Sequence, residues 1–420
     1  MTRQRLMDNA YLTCIPSEKF KTGFLSAQMA APLERETAGR SALLVNTLNR
    51  GTVRCPDMAA IGRELDMLYG ARLEPTVRKK GENQLFGFVA SGVDDRYLPR
   101  GEKLLEKLAD LLGEFYCDPV TQGGRLLDEY VESERKNLAD MIRSDINDKR
   151  SYASRRLLEE MCAGERYGIR RMGSAEDVEK ISRQGLDRYY RNVLPRGRLE
   201  LFYCGSAPEV RVAGAFTRAF ASLPRQGSLE PVPTVRKPAR EAVKVVTEEM
   251  DVAQGKLCIG YRTDSGDTTA TMLMNAMFGG ATTSKLFCNV REKLSLCYYA
   301  DSVYHRLKGL VTVSSGIECA DYGRAVEEIT RQLEALQNGL WESWELDGAR
   351  QSLLNSLRAA GDSPGTMEDF VIGQAVSGLD ETVPGLIRAI LDVTPERIRE
   401  AAWAVKLDTI YFLKGKEDRP

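Results

Sequence analysis

Among side chains that ordinarily do chemistry near neutral pH, this 420-residue chain holds a single imidazole, His305. Catalytic zinc sites take two or three imidazoles, and Ser-His or Cys-His hydrolysis needs one beside its nucleophile. One histidine leaves almost every familiar hydrolytic arrangement short of a group. The nine cysteines (14, 55, 117, 162, 204, 258, 288, 297 and 319) form no Cys-x-x-Cys pair. That excludes zinc-ribbon and thioredoxin chemistry and fits buried thiols in a reducing cytoplasm. GGATTSK (279–285) misses the Gly-x4-Gly-Lys-Ser/Thr spacing of a phosphate loop, so a glycine turn whose Thr and Ser cap the next helix is expected.

The remaining polar clusters read as structure. His305, in YHRLKG beside an expected hairpin turn, reads as an exposed loop residue. Glu248, Glu249 and Asp251 read as a solvated turn, and Asp94-Asp95-Arg96 as a loop. In NDKRSYASRRLLEEMCAGERYG (147–168) charges alternate around an apolar stripe, the pattern of a surface helix.

These residues need a scaffold, and the length sets its scale: 420 residues call for two domains of about 200 each. With 43% apolar and 28% charged residues the chain is that of a globular protein rather than a disordered or membrane one. A net charge of -1 argues against nucleic acid or an anionic membrane as partner. No apolar run reaches bilayer length, and the start MTRQRLMDNAYLTC lacks the apolar core of a secretory signal, so a cytoplasmic location without a membrane span is expected.

The stretch 221–241 carries Pro224, Pro231, Pro233 and Pro238 and reads as an extended linker between domains 1–220 and 242–420. The two sides look like copies. AYLTCIP and GFLSAQM open the first, AVKVVTEE and GKLCIGY the second. Each pair of strand-like runs precedes an apolar helical stretch with a small-residue turn, SALLVNTLNRGT (41–52) and TMLMNAMFGGATTSK (271–285). Each copy ends on an amphipathic helix, a break and a strand closing in glycine, at 181–205 and 393–415. Between lie helical periodicities, Leu98, Leu104, Leu105, Leu108, Leu111, Leu112 and Phe115 in one and Val326, Ile329, Leu333 and Leu336 in the other. The expected fold is α+β: two tandem homologous sandwich domains, each a mostly antiparallel sheet covered on one face by helices.

Strand hairpin, helix ending in Gly-Thr, long helices, then strand-Gly, given twice, resembles the insulinase/pitrilysin (inverzincin) metallopeptidase family. The likeness runs roughly from Tyr11 to Gly415, and is greatest to its two-domain bacterial type and to mitochondrial-processing-peptidase-like subunits. In that family the first domain carries His-x-x-Glu-His on the helix before Gly-Thr, with a further Glu on a later helix. Positions i and i+4 share a helical face, so two imidazoles grip one Zn²⁺ while the glutamate deprotonates its bound water. Anchored on Arg50-Gly51-Thr52, the five positions fall on Ala42, Leu43, Leu44, Val45 and Asn46. In EYVESERKNLADMI, Glu134 matches the family's leading Glu, and the second metal-binding position falls on Met141, next to Asp140. Aliphatic side chains, a thioether and one carboxamide are no zinc site, so no metal or cofactor is expected on this chain.

The second domain departs less. FGGATTSKLFCNVREKLSLCYYADSVY (278–304) keeps the family's Gly-rich turn, Leu-Phe pair, Arg-Glu-Lys and strand aromatic. The resemblance assigns Arg291 and Tyr298 to the arginine and tyrosine that reach the substrate backbone. A guanidinium fork suits a peptide carbonyl, and a phenol can donate to a tetrahedral oxyanion. Tyr299 is the alternative if the strand is shifted by one. The resemblance therefore implies a non-catalytic, zinc-free subunit. Its Arg291 and Tyr298 would complete, for peptide processing or degradation, the site of a zinc-bearing homologous partner, in a heterodimer or alternatively a homodimer. Two other readings stay open: a structural or peptide-binding scaffold, and a zinc peptidase with non-standard ligands from Asn46, Glu134 and Asp140.

Overall fold

The computed structural model describes residues 1–226 and 229–416; Gly227 and Ser228 of the expected linker, and the last four residues of the expected second domain, lie outside the described residues. The chain divides into two compact units: Met1–Ser144 with Ile169–Pro233 and Ser363–Leu379, and Asp145–Gly168 with Thr234–Asp362 and Asp380–Pro420.

The first unit is built on strands β1 (Thr2–Met7), β2 (Ala10–Pro16), β3 (Thr22–Pro32), β4 (Arg72–Lys80) and β5 (Asn83–Val93), a two-residue hairpin of β6 (Thr121–Gln122) and β7 (Arg125–Leu126), and β8 (Arg198–Gly205). Its main sheet has the order β1-β2-β8-β3-β5-β4. The second unit holds β9 (Lys244–Met250), β10 (Gly255–Thr263), β11 (Cys297–His305), β12 (Leu310–Ile317) and β13 (Val405–Gly415), in the order β11-β12-β10-β13-β9. Setting β2, β3, β4, β5 and β8 against β9, β10, β11, β12 and β13 gives one topology twice. Each copy has a single parallel pair, β2 with β8 and β9 with β13. The closing helices, Arg183–Arg196 and Pro395–Trp403, are capped alike: Ser182 accepts from the Gly185 N–H, and Thr394 from the Arg397 N–H. The sandwich is α+β and duplicated, as the repeated pattern predicts.

In the first unit the helices Arg35–Leu48, Leu104–Cys117 and Glu209–Ala219 bury Leu43, Leu44, Leu108, Leu112 and Phe216 against Leu199, Leu201 and Tyr203 of β8. In the second, Leu273 and Met274 of Thr268–Asn275 and Ile329 and Leu336 of Tyr322–Gln337 bury with Leu257 and Ile259 of β10.

One difference from the sequence expectation concerns coverage. Both sheet faces are covered, and the second cover comes from the other half of the sequence. Val371, Ile372 and Val376 of helix Pro364–Ser377 pack on Ala30, Leu85, Phe202 and Cys204 in the first unit. Ala153 and Leu157 of helix Lys149–Met161 pack on Cys258, Tyr411 and Leu413 in the second. The segment 147–168 is therefore no plain surface helix: its apolar stripe meets a sheet, and its charges meet strand carboxylates. Arg156 pairs with Glu248 at 3.3 Å, and Arg150 with Asp301 at 2.5 Å. Glu248 is likewise not in a solvated turn, since it lies on β9 and accepts from Tyr152 and Tyr411, both at 2.6 Å.

Candidate functional site

The positions that the resemblance assigns to the zinc motif lie on helix Arg35–Leu48, which packs against helix Asp128–Ser144. Ala42 and Val45 are each 1% exposed and sit with Leu43 and Leu44 in the apolar core; Asn46 is half-buried. On the neighbouring helix Met141 is 48% exposed. Asp140 lies 3.6 Å from Arg143 with a largely exposed side chain. Glu134 is engaged by a cation. Arg50 donates to it at 2.9 Å and also lies 4.8 Å from the Tyr130 ring centre, while Asn137 donates to the same oxygen at 3.2 Å. The donors do not fit zinc. Glu134 is already neutralised by a guanidinium, Asp140 faces solvent beside an arginine, and the positions between are hydrocarbon. Among the described residues no group of three or more His, Cys, Asp or Glu side chains could hold a metal ion.

The second unit presents Arg291 and Tyr298 on irregular backbone. Helix Thr268–Asn275 runs into two wide turns of π-helical type, Ala276–Gly280 and Leu286–Lys293. Gly279 is required at the first, because a Cβ there would lie 2.7 Å from the Ser302 backbone nitrogen. Ser284, in GGATTSK, accepts from the Phe287 N–H at 3.4 Å, so the serine caps the next turn. Widened turns of this kind redirect side chains and recur at functional sites. Arg291 lies on the second. Its guanidinium sits 4.7 Å from the Phe287 ring centre, and its ion contact is Glu292 at 3.6 Å. Ser295, at φ 50°, then turns the chain into β11.

Along β11, Cys297 pairs with Ile317 and Tyr299 with Gly316, leaving Tyr298 as the extra residue of a bulge. Tyr298 is 69% exposed, whereas Tyr299 packs beneath the Arg150 guanidinium, 4.0 Å above its ring centre. Burial pushes the Tyr299 phenol up to about 12. Burial raises the Cys297 thiol as well, and the Ser315 side chain and then the Arg291 charge pull it part of the way back. The structure thus places Arg291 on the turn that leads into β11, and exposes Tyr298 at the bulge near the start of that strand. Tyr299 is packed away rather than offered.

His305 is not an exposed loop residue. It ends β11 half-buried, with Nδ1 3.1 Å from the Tyr167 hydroxyl and Nε2 3.0 Å from Thr312 Oγ1. Arg150 and Asp301, flanking Tyr299, were missed by the sequence reading; the only signal was an arginine opening an amphipathic helix.

A family model described as Peptidase M16 inactive domain matches residues 180–353, which include Arg291 and Tyr298. Over 407 residues the chain is 34% identical to the Probable inactive metalloprotease YmfF of Bacillus subtilis (strain 168), covering 96% of this chain and 95% of that protein. The chain belongs to the M16, or insulinase, family as an inactive homologue of its metallopeptidases. A crystal structure of a conserved protein from Enterococcus faecalis V583 superposes with a TM-score of 0.90 at 28% identity, covering 100% of this chain and 99% of that one. The mitochondrial-processing peptidase subunit alpha of Pongo abelii is 24% identical over 331 residues, 71% of this chain and 62% of that protein. Inactivity agrees with the hydrocarbon at Ala42 and Val45, to which the sequence resemblance assigns the family's first metal-binding histidine and its catalytic glutamate.

Proposed function

We propose that this chain is a non-catalytic, zinc-free subunit that lends Arg291 and Tyr298 to the active site of a zinc-bearing M16 homologue, for peptide processing or degradation. The observation that carries this reading is the contrast between the two halves. Ala42 and Val45 are sealed in core and Met141 offers only an exposed thioether, while Tyr298 stands 69% exposed on a bulge after the turn that holds Arg291. A guanidinium beside a peptide carbonyl orients the scissile bond, and a phenol stabilises the oxyanion formed when the partner's zinc-bound water attacks. A relative that is by name a subunit, mitochondrial-processing peptidase subunit alpha, supports a role inside an assembly.

The test is co-expression with a homologue from the same genome that carries His-x-x-Glu-His. The pair should co-purify and cleave peptides that neither chain cleaves alone. Arg291→Ala or Tyr298→Phe should lower turnover by about 10²- to 10³-fold, the scale of losing one oxyanion donor. An active pair indifferent to both substitutions refutes the proposal. Peptide binding without turnover in any pairing would favour a scaffold instead.

A further inference from the structure

The two repeats differ at one sheet edge. In the first unit β2 has β8 on one side and β1 on the other. Val212, Ala215 and Phe216 of helix Glu209–Ala219 share its core, so Ala10, Leu12 and Cys14 are at most 2% exposed. Its counterpart β9 pairs with β13 alone, and among the described residues no strand takes the place of β1. Val245 is 57% exposed and Val243 41% exposed as a result. An edge strand with open main-chain groups is a template for another strand.

We propose that β9 is the surface through which two copies of this chain associate, pairing antiparallel about a two-fold axis at Val246. The sequence of β9, KVVTEEM, is self-complementary in that register. It sets Val246 opposite Val246 of the second copy, Val245 opposite Thr247, and Lys244 opposite Glu248, twice over. The neighbouring registers that keep each side chain on its own face are worse. An axis at Lys244 or Glu248 opposes that residue to itself. An axis at Val245 sets Glu241 against Glu249, and one at Thr247 leaves both Lys244 and Glu248 facing apolar residues. The two charges are also held in place before any pairing. Lys244 donates to Glu160 at 2.7 Å, and Glu248 accepts from Tyr152 and Tyr411 at 2.6 Å. Neither becomes an uncompensated charge when the edge closes. This contact is independent of Arg291 and Tyr298, since β11 forms the opposite edge of the sheet.

The experiment uses the full chain in two forms, Val245→Cys and Thr247→Cys, mixed and mildly oxidised, with mass spectrometry to assign the cross-link. The mixture should give a 245–247 disulfide between copies, and either variant alone should give far less, because only unlike positions face each other. In sedimentation velocity the unmodified chain should show a concentration-dependent dimer. Lys244→Glu should weaken it roughly tenfold or more, the effect of about 1.4 kcal/mol. Thermal melts of each variant separate loss of pairing from loss of fold. A chain that stays monomeric up to roughly 100 μM, or a dimer lacking the 245–247 cross-link, overturns the proposal.

Discussion

The Arg50 guanidinium donates to the Glu134 carboxylate at 2.9 Å, so this carboxylate is spent on a protein cation. The pair is half-buried, with side-chain exposures of 29% and 13%. Arg50→Met should cost about 1–2 kcal/mol in a urea titration, between the values for exposed and buried pairs. It should not create a metal site. Elemental analysis of the parent chain and of the variant should each find well below one zinc per chain, and a stoichiometric zinc in either would refute the assignment of lost ligands.

Arg291 and Tyr298 make few contacts within the folded unit. Arg291→Ala and Tyr298→Phe should therefore shift stability by no more than about 0.5 kcal/mol. Thermal melts check this, and a large loss would mean that the pair is structural.

Glu368 anchors the helix that covers the first sheet's second face. It is 1% exposed, accepts from Arg78 at 2.5 and 2.7 Å, and takes the Ser26 hydroxyl at 2.8 Å. Glu368→Gln leaves Arg78 partly uncompensated and should destabilise by about 3–5 kcal/mol. Hydrogen exchange should speed up first in 363–379.

Glu165 performs the same service in the second unit, paired at 2.7 Å with both Arg262 and Lys308. Burial pushes its carboxyl up, but the bonds from Arg262 and Lys308 outweigh burial and hold it below the ordinary range. With the folded value below the unfolded one, the unfolded chain binds the proton first. The stabilisation is complete at neutral pH and erodes as pH falls through the ordinary glutamate value near about 4.3 and beyond. Urea midpoints between about pH 3 and 7 should fall with acid in the parent chain. They should be lower but flatter over that range in Glu165→Gln.

The duplicated sandwich was legible because strand pairs, apolar helices and closing strand-Gly signatures recur in the same order. The exchange of helices was not. Ala153, Leu157 and Met161 mark a buried stripe by their spacing, but periodicity cannot say which sheet receives it. The carboxylates that hold its arginines, Glu248 and Asp301, are about 90 and 150 residues away in sequence. A usable hint did exist: LELFYC in β8 is buried on both faces and reads as an almost unbroken apolar run, as two-sided strands do. The bulge at Tyr298 lies beyond sequence reading, since one inserted residue decides which of two adjacent tyrosines meets solvent.

Helix Pro364–Ser377 has a temporal consequence. A ribosome finishes every strand of the first sheet by Gly205, yet Phe202 and Cys204 keep an oily side bare until helix Pro364–Ser377 emerges, more than 150 residues later. This protein must wait, half-dressed, for a helix made long after the sheet. Nascent chains stalled before residue 363 should recruit holdases that the released molecule no longer needs.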